Sequence, residues 1–224
     1  MLDGLVRRLV DPFLDRMGAA IARWGVTADA LTFAGLACGL GSAVAIAARA
    51  DAIALMLLAA GRLLDGLDGA VARATRRMDR GGFFDIVCDF AFYGAVPLAF
   101  AMREPVINAV PAAVLLFAFY VNGASFLAFA AVAAKRGMES TAWNEKSIHF
   151  TAGLAEGTET IIFFAAMLLV PRCFPILAYA FAGLTLMSAL ARAALAWHAF
   201  RDEAEPDRPL LSRRGRRGSD GAHE

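Results

Sequence analysis

Long apolar blocks recur along this chain, and they limit its fold more than any other feature. A block of ~20 apolar residues, once helical, is long enough to cross the ~30 Å hydrocarbon core of a bilayer. Backbone groups inside lipid must bond to one another, which leaves helices or closed barrels as the spanning structures. The blocks fall at roughly 28–49, 52–74, 82–102, 106–134, 148–170 and 173–200. Hydrophobic residues make up 59% of the 224, against ~45–50% in soluble domains. The excess lies in continuous runs and not in a period-2 pattern. The fold class expected is therefore all-α: a polytopic membrane protein with six transmembrane helices. The fourth block is the longest, and is expected to tilt or to extend into the cytoplasm.

The flanks differ in kind. Over residues 1–24, Leu2, Leu5, Val6, Leu9, Phe13, Met17 and Ile21 recur at three- and four-residue spacing, with charges on the other side. This predicts an N-terminal amphipathic interfacial helix, divided into two short helices at Asp11-Pro12, a natural cap and first helical position. Residues 25–201 form the six-span domain. Residues 202–224 are polar and rich in Arg and Gly, a composition that cannot bury a core, so a disordered tail is expected. Cys38, Cys88 and Cys173 are scattered in apolar stretches and imply neither a disulfide framework nor a zinc site. No nucleic-acid motif is present, and the basic tail better suits anionic lipid head groups.

Lys and Arg set the orientation. Arg7, Arg8, Arg16, Arg23, Arg73, Arg76, Arg77, Arg80, Lys135, Arg136, Lys146, Arg201 and five arginines of the tail share one side, while Arg49, Arg103 and Arg172 take the other. Such asymmetry places the richer side in the cytoplasm. Both termini are expected there, in an inner (cytoplasmic) membrane.

Against this apolar background the stretch RLLDGLDGAVARATRRMDRGGFFDIVCDF, residues 62–90, carries four aspartates. Asp65 and Asp68 lie three apart on the second span, and Asp85 and Asp89 four apart on the third. Each pair therefore shares a helix face. The short joining segment makes the two spans antiparallel neighbours, with both pairs at one cytoplasmic depth. Each charge inside a bilayer costs ~2.5–3.5 kcal/mol even on the mildest scale, so four facing carboxylates must be protonated or held by a cation. Oxygen ligands without His or Cys favour Mg²⁺, Mn²⁺ or Ca²⁺. Two pairs suit two ions ~4 Å apart, an arrangement that clamps phosphoryl oxygens. Gly69 and Ala72 clear space on the same face, and Arg73 can pair with a phosphate. Gly81 and Gly82 leave backbone N–H groups open to an anion at a helix start.

The pattern Asp65-x2-Asp68-Gly69-x2-Ala72-Arg73-x7-Gly81-x3-Asp85-x3-Asp89 resembles the signature of the CDP-alcohol phosphotransferases, also called CDP-alcohol phosphatidyltransferases. GVTADALTFAG at 25–35 looks like the opening of that family's first core span, with Asp29 where Asn is common, and GLAEGTETI at 153–161 is similar to an uncharacterised bacterial inner-membrane branch. The resemblance covers about residues 1–200 and implies transfer of a substituted phosphate from a CDP-linked lipid, such as CDP-diacylglycerol, to a hydroxyl acceptor, with release of CMP. It implies that Asp65, Asp68, Asp85 and Asp89 hold Mg²⁺ or Mn²⁺, as two ions. Asp65, Asp68, Gly69, Ala72, Arg73 and Gly81 would shape the CDP site. Asp89, with Asp85, would be catalytic, Asp89 as the base. It also implies a homodimer.

The acceptor is read from fewer residues. Glu156, Glu159, Lys146 and Arg192 are the pocket candidates. The two glutamates suit a cationic amino alcohol such as serine. Phe90 after Asp89, within DIVCDFAFYGAVP at 85–97, is similar to phosphatidylserine synthase segments, whereas a Lys often follows in glycerol-phosphate enzymes. Glycerol phosphate or inositol phosphate is the alternative acceptor. A reading from another class, a divalent-cation transporter or metal-binding membrane protein, uses the same carboxylates. It lacks a continuing acidic path on the far side of spans 2 and 3.

Overall fold

In the computed structural model, residues 3–76, 78–137 and 157–200 are described, with side chains from Val10 onward. Among them every regular element is helical: α1 (Asp3–Arg23), α2 (Ala28–Ala47), α3 (Asp51–Ala74), α4 (Asp79–Arg103), α5 (Pro105–Lys135), α6 (Gly157–Leu169) and α7 (Phe174–Ala199), with a 3-10 turn at Pro171–Cys173. Local chemistry sets the boundaries. Thr27 is extended, and its side-chain oxygen accepts the Ala30 N–H at 3.3 Å, which starts α2. Pro105 opens α5, where a missing N–H is harmless. Asp51 and Asp79 begin α3 and α4, and Arg73 and Arg103 close them, matching the helix dipole at both ends.

Four stretches, Ala28–Ala47, Asp79–Arg103, Pro105–Lys135 and Pro171–Ala199, are long and apolar enough to cross a membrane. The helix α3 has 24 residues but carries Arg62, Asp65, Asp68 and Arg73 in its second half. The 13 residues of α6 are the helical part of what is described of the expected fifth span. The described residues thus give four such helices where the sequence predicts six. At ~1.5 Å per residue α5, with 31 residues, is ~46 Å long, well beyond the hydrocarbon thickness. Lys146, Glu156 and the tail 202–224 lie outside the described residues.

One expectation needs correction. Pro12 does not divide the N-terminal segment, because α1 runs unbroken from Asp3 to Arg23. It packs along α3, with Leu14, Leu31, Leu67, Ala70 and Val71 forming a common apolar cluster. This packing outweighs one lost backbone bond. The neighbours α3 and α4 meet through their side chains, and α2 packs closely against both. Small residues allow it. A Cβ on Gly61 of α3 would stand 3.1 Å from the Gly35 carbonyl oxygen of α2, and one on Gly39 would stand 2.7 Å from Phe92 Cδ2 of α4. Helices in lipid associate through such small-residue seams.

The main core joins α2–α7 around fully buried Phe92, Phe100, Phe164, Phe174 and Phe181. Phe100 and Phe174 stack at 4.3 Å between ring centres, and Phe163 and Phe181 at 4.4 Å. Two polar side chains in this core bond to backbone carbonyls: Ser42 Oγ donates to that of Ala54 at 2.8 Å, and Asn108 Nδ2 to that of Phe100 at 3.0 Å. Outside, large apolar side chains such as Val106, Val110, Ile176 and Leu190 are exposed, as lipid-facing surfaces are. At the end of the bundle away from the aspartates, Arg103 pairs with both carboxylate oxygens of Asp51, and Arg49 Nη2 donates to the Arg103 carbonyl at 2.9 Å. The three cysteines are free.

Candidate active site

The second half of α3 and the first half of α4 run past one another, with the start of α2 beside both. Helical spacing turns Asp65 and Asp68 to one side of α3, and Asp85 and Asp89 to one side of α4. The result brings three of the four together: one oxygen each from Asp65, Asp68 and Asp85 lie within 4.8 Å of one another. Asp89 is beside this group, on the same arginine as Asp65. Its Oδ1 accepts from Arg62 Nη1 at 2.9 Å, and the same Nη1 is 3.4 Å from Asp65 Oδ2. Arg62 therefore bridges α3 and α4.

Asp68 is buried, and Thr32 of α2 donates its hydroxyl to Asp68 Oδ2 at 2.5 Å. Charge-assisted bonds of this length are strong and fix the carboxylate they contact. Thr32 is a site residue that spacing rules miss, since 36 residues separate it from Asp68. The one available signal is its place in the 25–35 segment.

A cleft of about 700 Å³ opens beside the group. Asp68, Asp85, Gly69, Ala72, Arg73 and Gly81 line it, as do Asp29 and Thr32 of α2. Of the residues expected to shape a nucleotide site, only Asp65 is not on its wall. A Cβ on Gly69 would crowd Arg73 Nη1 at 3.3 Å, and one on Gly82 would meet nothing within 4 Å. Two ion pairs flank the cleft. Arg73 donates through Nε and Nη2 to Asp15 Oδ1 of α1 at 3.0 and 2.7 Å, and Arg80 Nη2 donates to Asp29 Oδ2 at 2.5 Å. The Arg73–Asp15 pair could not be read from the sequence, because its members are 58 residues apart.

The remaining candidates lie elsewhere. Arg192 of α7 is buried, and its Nη1 donates to Ser125 Oγ at 2.7 Å and to Asn122 Oδ1 at 3.0 Å, both on α5. Glu159 is half-buried in the first turn of α6. Neither lines the cleft. Lys146 and Glu156 lie outside the described residues.

Chemically, three converging carboxylate oxygens with no imidazole or thiolate among them form a donor set for a hard divalent cation. An adjoining cleft with glycines and arginines on its walls is suited to a phosphate-bearing ligand.

Comparison with known proteins gives three findings. The sequence model of the CDP-alcohol phosphatidyltransferase family matches residues 25–199. The inner membrane protein YnjF of Escherichia coli (strain K12) is 41% identical over 192 residues, which is 86% of this chain and 93% of that protein. An archaetidylinositol phosphate synthase of Pyrococcus horikoshii is 36% identical over 85 residues, 38% of this chain and 45% of that protein.

Proposed function

The chain belongs to the CDP-alcohol phosphatidyltransferase family and is a membrane phosphotransferase; from that premise we propose a specific reaction and a division of labour among its residues. The phosphatidyl group of a CDP-linked lipid such as CDP-diacylglycerol passes to the hydroxyl of an amino alcohol such as serine, and CMP leaves. The observation that carries the reading is the group of Asp65, Asp68 and Asp85 oxygens within 4.8 Å beside the cleft.

Asp65, Asp68, Asp85 and Asp89 would hold Mg²⁺ or Mn²⁺, as two ions, with Asp65, Asp68 and Asp85 already converging. Bound there, the ions supply the positive charge that diphosphate oxygens need during displacement. Gly69 and Ala72 let the diphosphate approach α3, and Gly81 does the same at the start of α4. Arg73 binds phosphate after exchanging its Asp15 partner for it. Asp89 takes the acceptor's hydroxyl proton as that oxygen attacks phosphorus. The bond from phosphorus to the CMP oxygen breaks, and CMP departs with the electron pair. The donor's acyl chains remain among the apolar helix faces. The protein works in an inner membrane with both termini in the cytoplasm, which the basic-residue asymmetry and the name of the Escherichia coli relative support. It works as a homodimer, which the family resemblance implies and light scattering in detergent tests.

A second acceptor class has its own support. The Pyrococcus relative is named for an inositol phosphate product, and the buried Arg192 beside Asn122 and Ser125 is a guanidinium that could meet an acceptor phosphate. Glu159 and the Phe90 that follows Asp89 favour the amino alcohol.

The test is an acceptor panel. Purified protein in nanodiscs receives CDP-diacylglycerol, Mg²⁺ or Mn²⁺, and serine, glycerol phosphate or inositol phosphate in turn. CMP and the lipid product are scored by mass. Serine-dependent CMP release with phosphatidylserine formed is the expected result. Release only with a phosphorylated polyol moves the acceptor to the second class. No CMP above an Asp89→Ala control with any acceptor overturns the reaction.

A further inference from the structure

We propose that Asp15 of α1 is a built-in competitor for the nucleotide: with the cleft empty it holds the Arg73 guanidinium folded over Gly69, so a diphosphate has to break that pair before it can settle against α3. The inference deepens the reading above and rests on it. The change of partner at Arg73 belongs to that reading. Closure of the seat by the resting pair, set by a helix outside the matched domain, goes beyond it.

Asp15 sits on a helix that is firmly seated. The 21 residues of α1 precede the stretch that the family model matches, 25–199. The helix is nonetheless pressed into α3 at two glycines. Leu14 Cδ1 stands 2.9 Å from where a Cβ on Gly66 would be, and a Cβ on Gly18 would stand 2.6 Å from Ala70 Cβ. Asp15 follows Leu14 and precedes Gly18 by one turn, so this seam fixes where its carboxylate stands. Arg73 reaches it from α3. Long side chains on a helix lean back over the preceding turn, and that turn carries Gly69. Nε and Nη2 both donate to Asp15 Oδ1, at 3.0 and 2.7 Å. This grip leaves Nη1 against α3, 3.3 Å from where a Gly69 Cβ would be. The guanidinium thus occupies the gap that the missing side chain leaves, on the wall of the cleft.

Gly69 therefore admits two occupants in turn. A diphosphate approaching α3 at this turn meets the guanidinium first, and Arg73 cannot serve it while both Nε and Nη2 stay on Asp15. The pair is half open to water, with Arg73 35% and Asp15 52% exposed. Ion pairs this exposed are weak, so Asp15 biases the cleft toward closure and does not seal it. A diphosphate has the means to win. One phosphate held at the aspartate group brings the other to Arg73 at high local concentration, and its oxygens match the guanidinium fork at least as well as a single carboxylate oxygen does.

Calorimetric titration of CDP into the full-length protein in nanodiscs, with saturating Mn²⁺ and neither donor lipid nor acceptor, reads the competition without turnover. Asp15→Asn should tighten CDP binding by about two- to fivefold, which is what an exposed pair is worth. Asp15→Glu, which keeps the charge, should restore the wild-type Kd. In an Arg73→Gln background, where CDP binds more weakly, adding Asp15→Asn should change nothing further. Weaker CDP binding in Asp15→Asn would mean that the carboxylate presents Arg73 to the nucleotide, and overturns the proposal. An unchanged Kd overturns it too, as does an equal gain in the Arg73→Gln background. Should Arg73→Gln fail to fold, the two variants at the half-exposed position 15 decide alone. If the protein binds CDP yet releases no CMP with any acceptor, the reaction fails and the competition at Arg73 is still measured. A wild type that binds no CDP overturns both.

Discussion

The Thr32 hydroxyl lies 2.5 Å from Asp68 Oδ2 and so fixes a carboxylate that must point into the cleft. Partners one step removed from a metal ligand commonly change affinity by about 10–100-fold. Thr32→Val should therefore weaken Mn²⁺ binding by about tenfold with the fold intact, and Thr32→Ser should restore it. Calorimetric titration of Mn²⁺ checks both variants. The aspartate pairs were legible because three- and four-residue spacing defines a helix face without tertiary knowledge. Thr32, Asp15 and the Arg62–Asp89 bridge were not, because each meets its partner only after distant helices pack. Asp89 adds a contact that spacing does not encode. It has the same register on α4 as Asp85, yet a guanidinium from another helix takes one of its oxygens.

At the scale of elements, the seams of α2 decide how the aspartate helices sit. Gly39→Ala would place a methyl 2.7 Å from Phe92 Cδ2, and overpacking of this kind costs about 1–3 kcal/mol. Its melting temperature should fall, and CMP release should fall with it, because Phe92 also carries Arg62, whose guanidinium carbon lies 4.6 Å from the ring centroid. Gly183→Ala in α7 is the matched control. Its Cβ meets nothing within 4 Å, and alanine gains about 0.8–1.0 kcal/mol of helix propensity over glycine, so its melting temperature should hold or rise. Most helix positions were readable: continuous apolar runs with Pro, Asp and Thr at their starts mark α2, α3, α4, α5 and α7 within a few residues. What apolar runs do not encode is which helix neighbours which. The short link between α3 and α4 marks them as neighbours, but it does not tell that the glycines of α2 place that helix against both.

Across the whole molecule, the charge asymmetry and the cleft belong to one end. Basic residues crowd the end bearing the aspartates, while Arg49 and Arg103 mark the other. Reporter fusions at both termini should read cytoplasmic, and a cysteine placed at Arg49 should label from outside intact spheroplasts. A donor lipid in the inner leaflet would then bring its head group to the cleft with its chains still in the bilayer. Family membership and the apolar exterior agree with that arrangement. The account as a whole depends on the carboxylates of α3 and α4 acting as one cation-holding group during transfer. The most direct test is CMP release from CDP-diacylglycerol by metal-stripped protein, titrated with Mg²⁺ or Mn²⁺ in wild type and in Asp85→Ala. Release should be absent without metal, return on titration in the wild type, and stay absent in the variant. Undiminished release by Asp85→Ala, or by wild type held free of divalent ions, would contradict the account.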